Sequence, residues 1–484
     1  MLVSSDMPLF MRHPCHTHPM SEVPTSNMSV PYRSRGAVGA QSTFIARQVL
    51  LPVQQFIYTA GRYSAVLMVA TVAALAWANS PWKDTYFHFW ETKVTVDLVV
   101  ITVSESIHHW VNDALMTIFF FLVGLEVKHE LVAGKLANPK SAALPAIAAL
   151  GGMVVPAGIY MALNGGSAAF SGWGIPMATD IAFALGVLTL LGNRIPSELR
   201  VILLALAIVD DIGAILVIAV FYTEGLSLAA LGVAGVVLAI IVAMNRLGFR
   251  AIPGYVLVGA VFWLAVFATG VHATIAGVIL GVLTPARPYL STELFTRRME
   301  SLMAKFKGAA ARDDHQDMED ALGAIEETTV STEAPVERLE RSLAPWSNYL
   351  ILPIFALGNA GIVLSSDALD AALTSSATFG VVLGLVIGKP VGIFLFSFLA
   401  VKLRIGSLPT SVTWSQMLGM GMIAGIGFTV ALFINGLAFT DQALVDESKM
   451  GILAASLIAG VIGYAFLMFT TRGRRYEEHV VTGH

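Results

Sequence analysis

Two adjacent aspartates, Asp210 and Asp211, lie at the centre of a long apolar segment that runs from Val201 to Tyr222. About 20 apolar residues are enough for a helix to cross a bilayer, so both carboxylates are predicted near the middle of a membrane. A charge at that depth costs between about 2.5 and 17 kcal/mol. The pair therefore needs a cation, a proton or a protein counter-charge, and this need is the main indication of function.

Another aspartate within a predicted span, Asp180, lies in the sequence GIPMATDIAFALG. Pro176 removes a backbone donor there, and Thr179 and Asp180 follow it as residue types that cap the start of a helix. An aspartate beside the positive N-terminal end of a helix stabilises it. The pattern therefore predicts an interrupted span that exposes backbone dipoles at membrane depth.

A second weak point occurs in GMGMIAGIGFTVALF, where Gly425 and Gly427 precede Thr429. The two interruptions fall at corresponding places in spans 3–5 and 10–12 of the predicted order. Paired interrupted helices are typical of inverted-repeat transporters that bind their substrate at the midplane. Lys389, near the middle of span 10, needs an anion or the negative ends of broken helices, and Asp210 or Asp180 is the predicted counter-charge.

Composition gives the fold class that positions these groups. Of 484 residues, 56% are hydrophobic and 13% are charged, and the mean hydropathy is +0.73. Soluble domains carry roughly 25% charged residues, so the chain is predicted to be an integral membrane protein. The apolar runs are continuous rather than alternating, which favours an all-α architecture over a membrane barrel.

Twelve spans are predicted, with spans 7 and 8 separated only around Gly270. Lys and Arg concentrate in the loops after the even-numbered spans, and the loops after spans 3, 5, 7 and 9 have none. The exceptions are Lys83 and Lys93 in the loop after span 1, and Lys449 at the start of span 12. This alternation predicts that both termini lie in the cytoplasm. The spans are predicted at residues 63–79, 107–127, 142–162, 174–192, 199–222, 226–245, 254–269, 271–285, 345–364, 378–401, 415–439 and 449–470.

Four segments lie outside the spans. Residues 1–50 are predicted to be a disordered cytoplasmic tail, and 476–484 a second cytoplasmic tail. The alternation in 93–106 predicts an extracytoplasmic β-hairpin, either an inert connector or a dimer contact. The segment 287–342 is interpreted as a solvated cytoplasmic insert with helical pieces.

The first tail contains the sequence HPCHTHPM. Its side chains His13, Cys15, His16 and His18 allow a metal site, but a flexible tail without metal is the favoured interpretation.

The chain resembles the NhaA family of bacterial sodium/proton antiporters from Tyr58 to Arg475, the predicted antiporter domain. The resemblance rests on these blocks of sequence: NDALMTIFFFLVGLEVKHEL, IPMATDIAFALGVLTLLGNRIPSELRVILLALAIVDDIGAI, ATGVHATIAGVILG, LILPIFALGNAG, GLVIGKPVGI and GIGFTVALFI. The family is itself a known example of inverted repeats with broken helices.

The resemblance implies a role for each deep residue. Asp211 would be the principal sodium or lithium ligand, with Asp210 beside it contributing to binding and proton exchange. Thr179 and Asp180 would lie in the unwound part of span 4, near the ion. Lys389 would neutralise facing helix C-termini and pair with Asp210.

The resemblance also implies roles nearer the membrane surfaces. Asp113 would lie on the extracytoplasmic side. Residues of a cytoplasmic funnel and of pH sensing would be Glu126, Glu130, His272 and Glu340. Some members carry an acid and two histidines at the entrance to span 9, and here Glu340 fits the acid while Arg341 and Ala344 occupy the other two positions.

As a member of the family, the chain would be an electrogenic, pH-regulated exchanger of sodium or lithium for protons in the bacterial inner membrane. It would form a homodimer through 93–106, and no enzymatic activity, ATP site, metal cofactor or nucleic acid is expected. The alternative is a carrier that couples a small organic solute to protons or sodium. An ion channel fits paired breaks less well, and an intramembrane aspartyl protease needs its aspartates on different helices, unlike Asp210 and Asp211.

Overall fold

The computed structural model describes residues 51–472, except 98–101, 224, 248–251 and 289. Contacts divide the chain into two units, Met1–Val53 and Gln54–His484. The first unit is described only at residues 51–53, and apart from these residues every feature below belongs to the second unit. The predictions for the tails 1–50 and 476–484, and for the His and Cys group in the first tail, lie outside the described residues.

The described chain is predominantly helical, which confirms the predicted class. Its helices are α1 Leu51–Ala78, α2 Lys83–Glu91, α3 Ile107–Trp110, α4 Met116–Val132, α5 Pro139–Asn164, α6 Ile181–Leu190, α7 Ser197–Phe221, α8 Leu228–Arg246, α9 Ile252–Phe267, α10 Thr274–Leu283, α11 Thr292–Ala311, α12 His315–Thr332, α13 Pro335–Trp346, α14 Leu352–Asn359, α15 Ser366–Thr374, α16 Ser376–Leu383, α17 Lys389–Lys402, α18 Trp414–Ala424, α19 Phe428–Ala438 and α20 Gln442–Thr470.

Turns of other helical types join some of these helices. The segment Ala168–Met177 is a 3₁₀ helix that precedes α6. Wider π turns at Val111–Leu115, Ser347–Ile351 and Gly384–Gly388 join α3 to α4, α13 to α14 and α16 to α17. The long spans around them are therefore continuous but locally unwound.

In the part of the chain that the structure describes, seven helical segments are long and apolar enough to cross a membrane, or nine if each of two sharply bent pairs counts as one span. The apolar helices Gly254–Phe267 and Thr274–Leu283 are shorter. The protein is therefore a multi-pass membrane protein, and the number of twelve spans stays a prediction.

Predicted spans 3 and 10 pack tightly against each other as α5 and α17. The contact is made by glycines, because a side chain at Gly151 or Gly392 would collide with the backbone of the other. This packing brings the start of α17, where Lys389 lies, close to the interrupted segments.

The hairpin segment contains two strands, β1 Lys93–Asp97 and β2 Thr102–Ser106. They pair antiparallel, with Lys93 opposite Ser106. The strands follow α2, which is anchored by the hydroxyl of the buried Tyr86 donating to the carbonyl of Leu357 at 2.7 Å.

The segment 287–342 is more regular than the sequence interpretation suggests. Helices α11 and α12, of 20 and 18 residues, pack against each other, and the backbone of Leu290 bonds to Ser331 at 3.1 Å. Helix α13 then packs on α4, where Leu125 and Val336 are buried together.

Candidate ion-binding site

Both predicted interruptions are present. The 3₁₀ helix ends at Met177 and α6 begins at Ile181 with a bend of 45°, and α18 ends at Ala424 and α19 begins at Phe428 with a bend of 47°. The two broken segments approach each other closely at Gly427, where a Cβ would lie 3.1 Å from the carbonyl oxygen of Ala178. The residue types that predicted the breaks are thus the ones at which they occur.

Asp180 holds the two interruptions together. Its backbone N–H donates to Ile426 O at 2.6 Å. Its Oδ1 accepts from the backbone of Phe183 at 3.0 Å, and its Oδ2 accepts from the N–H and Oγ1 of Thr429 at 3.0 and 2.6 Å. One carboxylate, 2% exposed, therefore caps the starts of both α6 and α19 and opposes their positive ends.

Lys389 and Asp210 form an ion pair with no exposed surface. The Lys389 Nζ lies 2.5 Å from Asp210 Oδ2, and both side chains are 0% exposed. The ammonium also donates to the carbonyl of Met177, at the C-terminal end of the 3₁₀ helix. Thr179 Oγ1 lies 2.7 Å from the same Asp210 oxygen and 3.0 Å from Ala424 O.

Asp211 faces a different environment from its neighbour. It lines a narrow, partly open cleft together with Glu126, Thr179 and Asp180. Within the described chain, the buried Oδ1 of Asp211 has no hydrogen-bond partner, and the same is true of Asp210 Oδ1. A buried carboxylate oxygen without a partner is costly, so this pair of oxygens is ready to accept a proton or a cation.

The predicted funnel residues are not all brought together. Glu126 lines the same cleft as Asp211. Glu130 follows it by one turn of α4 and is half-buried. Glu340 lies on α13, where its Oε2 is 2.9 Å from Nδ1 of His129 on α4. These acids therefore lie on the C-terminal half of α4 and on the neighbouring helix α13.

His272 lies elsewhere, two residues before the start of α10. Helix α10 begins only at Thr274, because Gly270 with φ of 84° turns the chain just before. The Nε2 of His272 lies 2.7 Å from Tyr222 O, at the far end of α7. The structure thus separates this histidine from the cleft that Glu126 lines.

Asp113 and Arg341 complete the predicted set. Asp113 lies in the π turn Val111–Leu115, where its Oδ2 is 2.8 Å from Nε2 of His109. Arg341 is exposed and pairs with Glu333 at 2.5 Å, and this contact raises the pKa of the guanidinium. Neither residue lines the cleft.

The positions of two residues were not predicted from the sequence. Lys449 was assigned to the start of span 12, but α20 begins at Gln442, so this lysine lies two turns inside the helix and is 9% exposed. The cap Asp441 before α20 is a signal that extends the helix upstream. Asn348 lines the cleft from the π turn Ser347–Ile351, and no pattern in the sequence pointed to it.

Comparison with known proteins shows which family combines these features. The family model described as Na+/H+ antiporter 1 matches residues 54–467. The chain belongs to this family. The match covers both interruptions, the ion pair and the cleft.

Individual members of the family are similar to the chain over most of its length. The Na(+)/H(+) antiporter NhaA of Oleidesulfovibrio alaskensis is 46% identical over 435 residues, which are 89% of this chain and 96% of the relative. The NhaA protein of Koribacter versatilis is 47% identical over 420 residues, covering 87% and 91%. NhaA 2 of Sorangium cellulosum is 45% identical over 422 residues, covering 87% and 90%.

Among solved structures, the sodium proton antiporter MjNhaP1 from Methanocaldococcus jannaschii at pH 8 covers 86% of this chain and is covered completely. Its sequence identity is 12% and its TM-score is 0.47, and a likeness at this level carries no argument.

Proposed function

We propose that this sodium/proton antiporter binds its sodium ion and its protons in turn at Asp210 and Asp211, with Asp211 as the principal ligand. One observation carries the proposal. The carboxylate of Asp211 lines the cleft and has a buried oxygen without a partner in the described chain, whereas its neighbour Asp210 is held by Lys389 and Thr179.

Competition between the two ions follows from burial. A carboxylate taken out of water is stable only when a proton or a cation compensates its charge. Carboxylate and hydroxyl oxygens are hard ligands that suit sodium, and lithium fits the same chemistry. Because both ions use the same oxygens of Asp211, binding of one requires release of the other.

Lys389 supplies the counter-charge of the cycle. Its ammonium compensates Asp210 and the carbonyl end of the 3₁₀ helix at Met177. If the lysine gives up a proton when Asp210 takes part in cation binding, more protons than sodium ions move in each cycle. Exchange is then electrogenic, and the membrane potential drives sodium outward.

Asp180 is assigned to the frame of the site rather than to direct coordination. Its oxygens already accept three hydrogen bonds from Phe183 and Thr429. These hydrogen bonds join the two interrupted spans into one unit. Rocking of this unit against the surrounding helices would switch access to the site between the two sides of the membrane.

Regulation and assembly follow from the remaining predicted features. Glu126, Glu130 and Glu340 would attract cations on the cytoplasmic side and respond to pH, with Asp113 on the opposite side. The hairpin would pair two copies, since each strand of a two-stranded sheet leaves one edge free. The Lys and Arg distribution supports cytoplasmic termini in a bacterial inner membrane.

The decisive experiment is exchange in proteoliposomes under an imposed pH gradient with sodium, lithium and potassium compared. Asp211→Asn should abolish exchange while the melting temperature and the elution profile in detergent stay close to those of the native protein. Asp367→Asn is the matched control, because this aspartate is exposed in the first turn of α15 and should leave exchange unchanged. Native exchange by the folded Asp211→Asn protein would refute the site assignment.

A further inference from the structure

Asn348 lines the same cleft as Asp211. The cleft that leads to Asp211 is lined largely by apolar side chains, among them Phe119, Leu122 and Leu352. An ion that enters such a space loses water and needs replacement oxygens. The number of available oxygens in the cleft therefore limits how well sodium binds there.

Three of the polar side chains of the cleft are already engaged in hydrogen bonds. The one hydroxyl proton of Thr179 is shared between Asp210 and Ala424 O, and that of Thr429 is donated to Asp180, whose oxygens accept three hydrogen bonds in all. Glu126 and Asp211 remain as charged groups. Asn348 is the neutral amide beside them, and no hydrogen bond from the described chain engages its side chain.

The local backbone presents Asn348 to the cleft. It lies in the π turn Ser347–Ile351, which precedes Pro353 in α14. A proline in a helix collides with the carbonyl four residues earlier, here that of Tyr349, and widening of the turn relieves the collision. Such single π turns are frequent at functional sites because they re-aim side chains.

The other two π turns of the described chain also adjoin polar groups. One contains Asp113, and the other, Gly384–Gly388, ends directly before Lys389 and Pro390. Each of the three turns thus contains or adjoins a polar or charged side chain within an otherwise apolar helix. Among Asp113, Asn348 and Lys389, Asn348 is the one that lines the cleft.

We propose that the amide oxygen of Asn348 is a neutral ligand for sodium on its way through the cleft, and that it sets the apparent affinity for the cation without taking part in proton exchange. The inference rests on the proposed site at Asp211. A neutral oxygen suits this step because it replaces lost water without adding a third charge beside Glu126 and Asp211.

The test compares variants of Asn348 in proteoliposomes at one fixed pH. Asn348→Leu keeps the size of the side chain but removes its oxygen, so the KM for sodium should rise by roughly five- to tenfold, which corresponds to about 1 to 1.4 kcal/mol. The maximal rate at saturating sodium should stay within about twofold of the native rate. Asn348→Asp, which restores an oxygen at the same place, should bring the KM back to or below the native value.

Two controls separate ligation from a structural effect. Ser347→Ala alters the same π turn at a buried hydroxyl without a partner in the described chain, and should leave the KM unchanged. Melting temperatures in detergent should agree among all variants. A native KM in Asn348→Leu, a fall in maximal rate at native KM, or an equal rise in KM in Ser347→Ala would each overturn the inference.

Failure of this inference is distinguishable from failure of the proposed function. If Asp211→Asn is inactive while Asn348→Leu has a native KM, only the role of Asn348 is lost. If Asp211→Asn exchanges normally, the site assignment is lost, and with it the basis for placing Asn348 on the path to that site.

Discussion

The carboxylate of Asp180 accepts two hydrogen bonds from Thr429, one from the backbone N–H at 3.0 Å and one from Oγ1 at 2.6 Å. These bonds join spans that are 249 residues apart in the sequence. The same carboxylate caps α6 through Phe183. Both helix starts therefore depend on one side chain, which explains how two broken helices persist side by side in a membrane.

Substitution of Asp180 should reduce stability more than sodium affinity. Asp180→Ala leaves two helix N-termini without a cap, and at about 0.5 to 2 kcal/mol for each cap the total loss is about 1 to 4 kcal/mol. Asp180→Asn keeps the cap on Phe183 but turns a donor toward Thr429, so an intermediate loss is expected. Thermal unfolding in detergent, followed by tryptophan fluorescence, measures the effect alongside the KM for sodium.

Thr429→Val tests one of the two hydrogen bonds from Thr429 to Asp180, because it removes the Oγ1 donor and keeps the backbone N–H donor. The expected cost is about 1 to 3 kcal/mol. Thr378→Val is a matched control on α16, where the hydroxyl donates to Glu447 O outside the cleft. A native melting temperature for Asp180→Asn together with a large rise in KM would instead identify Asp180 as a direct ligand.

The ion pair between Lys389 and Asp210 should show strong coupling. Lys389→Met leaves a buried carboxylate without its cation, and removal of one partner of a buried pair costs about 3 to 5 kcal/mol. The double variant Lys389→Met/Asp210→Asn removes both charges and should be more stable than Lys389→Met alone. The native protein, the single variants Lys389→Met and Asp210→Asn, and the double variant form a double-mutant cycle. The differences in melting temperature between these four proteins measure the coupling between the two side chains.

Charge movement gives a second measurement on the same variants. If Lys389 carries a proton in the cycle, sodium-driven currents across solid-supported membranes should fall relative to the rate of sodium uptake in Lys389→Met. Lys449→Met is the control, since this lysine is also buried but lies in α20 and not in the cleft. Equal melting curves and currents for native protein and Lys389→Met would argue against the counter-charge role.

The central part of this arrangement could be predicted because its signals are local. Pro176 marks the first interruption, Gly425 and Gly427 mark the second, and Asp180 has the residue type of a helix cap. The sequence predicted Asp210 or Asp180 as the partner of Lys389, because a lysine at membrane depth needs an anion nearby. Each of these inferences depends on residue type and position in one segment.

Other features depend on contacts that a single segment does not encode. The bond from Asp180 to Thr429 requires the packing of two distant spans. The position of His272 outside α10 depends on the left-handed turn at Gly270, and a hydropathy window does not detect it. The π turn that presents Asn348 depends on Pro353 in the next helical turn. Hydropathy alone shows only an apolar segment there and does not predict the turn.

Tyr86, in the short helix before the hairpin, should make stability sensitive to alkaline pH. Its hydroxyl is buried and donates to Leu357 O, and burial raises the pKa of this phenol to about 12. An unfolded tyrosine ionises near pH 10, so the unfolded state releases its proton first as the pH rises. The stabilising contribution is therefore complete below about pH 10 and declines between about pH 10 and 12.

Tyr86→Phe tests this relationship in two ways. Below about pH 10 the variant should be less stable by about 1 to 3 kcal/mol, because the carbonyl of Leu357 loses its donor. Above that pH the difference in stability between the two proteins should shrink. The native protein loses stability as the tyrosine of its unfolded state ionises, whereas phenylalanine has no proton to lose. Tyr349→Phe, at a ring that is 41% exposed, is the control for loss of a tyrosine hydroxyl, and at neutral pH it should reduce stability less than Tyr86→Phe does. Parallel curves for native protein and Tyr86→Phe up to about pH 11 would mean that the phenol is not shielded from water, and α2 would then not be anchored through Leu357.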